Sequence, residues 1–554
     1  MSCASGLGLT STVMSGALWA KVADDKKPEI TKEMLRDAER LAGLEFTEDE
    51  RELMVDGLNG YLQKYRKLRD VPLDNSVAPA VQFNPVVPGM SIEKRAGRPR
   101  MSRGRRRKIP SDLEELAFWP VTDLARLIRS RKVSSTEITR MYLGRLKRYN
   151  PKLKCVVTLT EELALEQAKR ADKEIAAGNY RGPLHGIPWG AKDLLAVKGY
   201  RTTWGAMPYK DQVIDYDATV VKRLEDAGAV LIAKLTLGAL AWGDVWFGGK
   251  TRNPWDPEKG SSGSSAGPAS ATAAGLVGFS IGSETHGSIV SPCTVCGTTG
   301  LRPTFGRVSR YGAMALSWSM DKIGPICRTV EDCAIVLQSI AGPDGKDSTV
   351  VDVPFAWDAN LDIRNLKVGY LKSAFEEKRN DKQWKANDLA TLDVLRGLGF
   401  KLVPIDLPDY PIETMGLILN VEAAAAFDEL TRSGRDDLLV RQIKNAWPNR
   451  FREARTVPAV EYIRANRLRT LVMNAMQEKL AGADVYVCPS WAGRNLHLTN
   501  LTGHPAVVLP NGLRNEGTPS SISFIGRLFG EDKVLALAKA YQDATSFHLK
   551  HPTL

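Results

Sequence analysis

Two serine–glycine clusters, Gly263-Ser264-Ser265-Ala266-Gly267 and Thr285-His286-Gly287-Ser288, lie close together in the chain, with Ser264 and Ser288 24 residues apart. Glycine on both sides of a serine permits tight turns and positive φ, so main-chain N–H groups can converge beside a hydroxyl. Acyl transfer needs that combination, a nucleophile with oxyanion donors at its shoulder. Flexible linkers share the composition. Here the run from Gly260 to Pro303 is threaded with Ala, Val, Leu, Phe and Ile, which a solvated linker does not need. Acyl transfer also requires a base for the nucleophile and an acid for the leaving group. Histidine commonly fills that role, and this chain has six: His185, His286, His497, His504, His548 and His551.

The segment resembles the signature of the amidase signature family, the Ser–cis-Ser–Lys amidohydrolases that include the A subunit of tRNA-dependent amidotransferases. Gly186-Ile187-Pro188-Trp189-Gly190-Ala191-Lys192-Asp193 is similar to the family's lysine motif. Thr251 to Asp256, Gly306 to Gly312, Gly503 to Ala506 and Ser521 to Gly526 read like further family segments, in the expected order. The resemblance implies three catalytic residues: Ser288 as nucleophile, Ser264 as a bridging serine after a cis Gly263–Ser264 bond, and Lys192 as base. It implies an oxyanion hole formed by the backbone of Thr285, His286 and Gly287, and an acyl-enzyme intermediate. It implies a small-molecule amide substrate and no metal or organic cofactor. A lysine near its reference pKa of ~10.4 is protonated and useless as a base. Burial among Ile187, Pro188, Trp189, Ala191, Leu194 and Leu195 would favour the neutral amine.

Three positions depart from the common family pattern. Ala266 and Pro268 stand where the family has Gly and Ser, and His286 stands where it has Gly. Pro268 fits the first turn of a following helix, where its missing N–H costs nothing. His286 either lines and narrows the acyl pocket or points away from it. Backbone donors do not depend on the side chain, so the oxyanion assignment stands and substrate shape is what changes. Trp242, Trp246, Phe247 and the loop around Trp318 are candidate aromatic walls. Aryl amides, fatty amides, peptide amides and carbamates all fit.

Other readings compete. Gly263 to Gly267 also matches G-x-S-x-G, which would make Ser265 the nucleophile, but that elbow requires a strand immediately before it. The preceding Asn253 to Lys259 reads as turn-forming. The chain could instead be the A subunit of a glutamyl- or aspartyl-tRNA amidotransferase, passing ammonia on rather than releasing acid. A non-catalytic scaffold is disfavoured because the three triad positions are intact.

The elements that would hold these residues follow from periodicity. Helical patterns at 121–131, 135–149, 161–177, 382–397, 459–481 and 531–548 alternate with β-rich runs at Cys155–Leu159, Ala229–Ala233, Val368–Leu371, Leu402–Ile405 and Val485–Cys488. That alternation predicts an α/β fold. The resemblance sharpens it to one large mixed sheet sandwiched between helices, over residues 113–554. Residues 28–71 read as a helical hairpin: an apolar stripe from Ile30 to Ala42 closed by Gly43, then a Thr47-x-x-Glu50 capping box and a second stripe to Leu68. The hairpin resembles the small C subunit of tRNA-dependent amidotransferases, here fused in cis. Residues 72–112 read as a Pro-rich, basic linker.

Composition sets the outer bounds. The 554 residues are 43% hydrophobic and 25% charged, as in an ordinary globular protein. The net charge of +12 is local: nine Lys/Arg and no acidic residue fall between Lys94 and Lys108. This is read as a solvated interdomain tract rather than an RNA- or membrane-binding patch, and no nucleic-acid partner is expected. Seven cysteines make no disulfide framework, and Cys293-x-x-Cys296 lacks a second half for a zinc site. No stretch approaches the ~20 apolar residues of a spanning helix. Residues 4–23 resemble the rear of an export signal without its basic front, so 1–27 is either a signal remnant or a disordered tail. Export and a cytoplasmic location both fit, and the oligomeric state is open, a homodimer included.

Overall fold

The computed structural model describes residues 29–94, 97, 99–104 and 108–554. The expectation of a signal remnant or tail at 1–27 lies outside the described residues. The chain divides into two units, one comprising 1–74 with 456–458 and the other the remainder.

In the first unit, helices Lys32–Ala42 and Glu48–Arg69 form the hairpin. Gly43 ends the first helix at φ 66°, and Thr47 and Glu50 exchange both bonds of the capping box. Arg51 joins the helices by clasping Glu39 through two 2.8 Å bonds.

The second unit is built on one mixed sheet of eleven strands. In chain order these are β1 (Val156–Leu159), β2 (Pro188–Lys192), β3 (Val230–Leu235), β4 (Phe279–Glu284), β5 (Thr299–Arg302) and β6 (Lys322–Cys327). The sheet continues with β7 (Val368–Leu371), β8 (Leu402–Ile405), β9 (Val485–Pro489), β10 (Ala506–Leu513) and β11 (Pro519–Gly526). Across the sheet they run β1-β3-β2-β4-β6-β5-β10-β11-β9-β7-β8. β2 is parallel to both β3 and β4, and β7 is parallel to β8 and β9. The other pairings are antiparallel.

Alternate residues of one strand enter different cores, as the period of two requires. Val485, Val487, Val507, Leu509, Ile522 and Phe524 join the main core with Leu337 and Leu535 from helices Val330–Ile340 and Glu531–Thr545. Tyr486, Cys488, Ala506 and Ile525 turn to a second core with Ile412, Met415, Ile418 and Val472. The sheet is therefore covered on both faces, the sandwich that the resemblance implied.

The described residues of 72–112 hold no long helix or strand. From Asn75 onward they are nevertheless tied down. Asn75 accepts from Ala315 N (2.7 Å) and donates to Ala315 O (3.0 Å). Phe83 packs edge-on against Phe305 and lies 3.6 Å from the Arg469 guanidinium. The main chain of Arg100 bonds Trp357 and Ala359.

Candidate active site

Strand pairing brings the lysine motif to the first serine cluster. β2 and β4 run parallel with Ala191 opposite Ile281, so Lys192 at the end of β2 lies against Ser283 near the end of β4. The loop 261–265 then folds back over both. Gly263 is required there: a Cβ on it would sit 1.8 Å from the carbonyl oxygen of Gly243. The Gly263–Ser264 bond is cis. Helix Ala266–Ala273 follows, with Pro268 in its first turn as expected.

Lys192 is fully buried. Its Nζ reaches Ser264 Oγ at 2.8 Å, Ser283 Oγ at 2.9 Å, Ser265 Oγ at 3.0 Å and the Ser283 carbonyl at 3.4 Å. Burial pushes the amine down to about 7, against the opposing pull of Asp321 and Glu284. Its sequence neighbour Asp193 is equally buried but points elsewhere, pairing with Lys234 at 2.8 Å.

The second cluster is a turn held from behind. Glu284, fully buried, accepts from Ile289 N (2.8 Å) and Val290 N (2.9 Å), from Asn500 Nδ2 (2.9 Å), and from Arg302 (2.7 Å). Burial alone would raise its pKa; Arg302 and the Val290 N–H outweigh this and hold the carboxyl at about 2. Thr285 Oγ1 donates to Asp321 at 2.6 Å, and Gly287 takes φ 102°, which favours glycine. The N–H groups of His286, Gly287 and Ser288 make no loop hydrogen bond among the described residues. Ser288 accepts at its carbonyl from Ser265 N (3.1 Å), while its hydroxyl has no protein partner among the described residues. The structure thus joins Lys192 to Ser264 directly and leaves Ser288 open to the cavity.

That cavity has a volume of about 650 Å³. Ser288, Gly263 and the 285–287 turn line it together with Trp242, Trp447, Trp491, Leu417 and Met320, and so do Glu413 and Arg450. Of the anticipated aromatic residues, Trp242 is there. Trp246 is buried against Phe247 in an edge contact, and Trp318 lines a neighbouring chamber of about 110 Å³. Sequence reasoning missed Trp447 and Trp491, which are remote in the chain and carry no motif. It also missed Glu284, which belongs to no motif and is held by Arg302, 18 residues away in the chain.

Ser265 cannot serve as nucleophile under the G-x-S-x-G reading. It is fully buried, and its hydroxyl donates to the Ser283 carbonyl at 3.0 Å. The stretch before it, expected to turn without a strand, does turn, but within a two-stranded ribbon of Arg252–Asn253 and Asp256–Gly260. Cys293 and Cys296 are buried in helix Val290–Cys296, and burial raises both thiols. No group of metal-ligating side chains exists among the described residues, and no described helix is long and apolar enough to cross a membrane.

A family model described as Amidase matches residues 137–498. The A subunit of the glutamyl-tRNA(Gln) amidotransferase of Geobacter metallireducens is 35% identical over 486 residues, covering 78% of this chain and 99% of that protein. Its counterpart in Roseiflexus sp. is 34% identical over 479 residues, covering 78% and 98%. The solved structure of native peptide amidase from Stenotrophomonas maltophilia superposes with a TM-score of 0.69 at 28% identity, covering 78% of this chain and 98% of that one. With its lysine motif, serine clusters and eleven-stranded mixed sheet in place, the chain belongs to the amidase signature family.

Proposed function

We propose that this chain cleaves a carboxamide C–N bond by way of an acyl-enzyme on Ser288, with Ser264 and Lys192 as its proton relay. The observation that carries the reading is the buried Lys192 amine 2.8 Å from Ser264 Oγ. A neutral amine has two N–H bonds and one lone pair. Ser265 spends its own O–H on the Ser283 carbonyl and so takes one N–H from the lysine. Ser283 takes the other. The lone pair is left for the O–H of Ser264, 2.8 Å away.

Ser288 Oγ then attacks the carbonyl carbon. Its proton passes to Ser264 as the proton of Ser264 passes to Lys192. The N–H groups of the 285–288 turn receive the oxyanion. Collapse breaks the C–N bond, and the departing nitrogen takes a proton back through Ser264. Water repeats the sequence on the acyl ester, freeing the acid and restoring Ser288. Ser288→Ala is expected to abolish turnover with the fold intact, and a fluorophosphonate to label Ser288. Labelling of another serine would refute the assignment.

The fate of the nitrogen separates two readings. As a hydrolase, the chain releases ammonia or an amine to solvent. As the A subunit of a tRNA-dependent amidotransferase, it hands ammonia to a partner, and the 35% identity to one such protein favours this reading. Purified protein should release ammonia from a primary amide unaided if it is a hydrolase. Co-purification with a second large subunit, and ammonia release that depends on it, would support the transferase.

A further inference from the structure

The second chamber, of about 110 Å³, takes no part in the relay, yet it adjoins the groups that do. Its inner wall includes Ser283, Thr285 and Asp321. Ser283 Oγ lies 2.9 Å from Lys192 Nζ, so one residue touches both the chamber and the amine. Thr285 opens the turn that carries Ser288, and its hydroxyl bonds Asp321 at 2.6 Å.

The outer wall comes from a distant part of the chain. Asn75, Ser76, Ala78 and Gln82 supply it, from a stretch without helix or strand. Asn75 is the clasp of this stretch. Its side chain accepts from Ala315 N at 2.7 Å and donates to the carbonyls of Ala315 (3.0 Å) and Ala426 (3.3 Å). Both N–H donors and the oxygen of the amide are thereby used. At the far end Gln82 donates to Ser348 Oγ at 2.5 Å, and Phe83 packs on Phe305. Residues 76–81 between these ties are exposed. While the wall stands, a chamber of this size admits only a few waters, each of which takes roughly 30 Å³. Without it, Ser283 faces bulk solvent.

We propose that residues 75–82 are a strap that completes the active site from behind, with Asn75 as the positioning residue that keeps bulk water from Lys192. The proposal rests on the reading of Lys192 as base. With the strap closed, burial holds the amine at about 7. With it released, water stabilises the ammonium form, and Lys192 stays protonated to higher pH. The strap thus sets the pH at which the enzyme turns on, and its withdrawal slows the enzyme at neutral pH without altering a reacting group. The charges around Lys192 are otherwise fixed. Asp321 and Glu284 raise its pKa, Arg302 and Lys322 bear on Glu284, and Asp193 is paired with Lys234. Arg310, Asp347 and Lys346 line the chamber. Asn75 and Gln82 carry no charge, so replacing them leaves this set unchanged and any shift reports solvation.

The test follows the rate at which a fluorophosphonate labels Ser288, as a function of pH, in full-length wild type, Asn75→Ala and Gln82→Ala. Wild type should rise with a midpoint at about 7. Asn75→Ala should move the midpoint up by about one pH unit, part of the several units that full burial can impose on a lysine, and label about tenfold more slowly below pH 7. Its alkaline plateau should match wild type. Gln82→Ala, at an exposed position, should shift the midpoint the same way by less, and it decides the matter if Asn75→Ala does not fold. An unmoved midpoint overturns the proposal. A lowered plateau with the wild-type midpoint does so too, because the strap would then only brace the turn. Lys192→Arg is read in parallel: labelling as fast as wild type would remove the base assignment itself, whatever the midpoints do.

Discussion

A lysine can act as a base only where water is kept from it. Lys192 meets that condition through full burial, and the hydroxyls of Ser264, Ser265 and Ser283 satisfy its amine without adding a formal charge. With the amine at about 7, kcat/KM is expected to rise through neutral pH as Lys192 loses its proton, then to level off. Lys192→Arg should be as inactive as Lys192→Ala, because guanidinium stays protonated. The same shift bears on stability. From about 7 up to the ordinary value of 10.5, the unfolded chain holds a proton that the native state has released. The penalty is therefore full below about pH 7 and fades as pH rises towards 10.5. The stability difference between Lys192→Met and wild type should shift in favour of wild type across that window in urea titrations. A difference independent of pH would show that the lysine is not neutral in the native protein.

At the scale of the element, Glu284 connects the sheet to the turn that carries Ser288. It ends β4, pairs with Arg302 at the end of β5, and takes the N–H groups of Ile289 and Val290 just beyond the turn. Replacing it with Gln leaves the Arg302 guanidinium buried opposite a neutral group, a type of change that costs about 3–5 kcal/mol. Glu284→Gln is expected to lower the melting temperature and to slow fluorophosphonate labelling together, since the turn loses its anchor. Intact labelling in a destabilised variant would separate the two roles. Its depressed pKa adds a second signature. The stability it contributes is present above the ordinary value near 4.5 and is lost as pH falls towards about 2, so the variant should lack that part of the acid transition.

At the scale of the whole molecule, the cavity draws its wall from Ala241 to His497, so its lining spans the middle and the C-terminal part of the chain. None of the lining found comes from the described residues 29–71. Deleting residues 1–71 is expected to leave kcat within a few-fold of the full chain while lowering the melting temperature, because an amphipathic hairpin of two helices is too small to bury its stripe alone. An equal melting temperature in the truncated chain would remove any stabilising role for the hairpin.

Local features can be read directly along the chain. The capping box at Thr47 and Glu50, the Gly43 helix end and the valine-bearing runs of β1 and β9 announce themselves through side chains that act within a turn or a strand. The motif glycines likewise mark where backbone must crowd backbone, as at Gly263. Tertiary structure decided the rest. β2, β4 and β5 carry proline, glycine, serine and charge in place of β-branched runs, and they are strands because the sheet buries every one of their residues. The same burial turns Lys192 from a surface cation into an amine near neutrality and Glu284 into a held anion, since a pKa is set by what surrounds the group in space. Only the fold set His497 against His286, 211 residues away in the chain, and brought Trp447 and Trp491 into the same cavity lining as Ser288. No spacing along the chain encodes those approaches, because they arise from the order in which strands join one sheet.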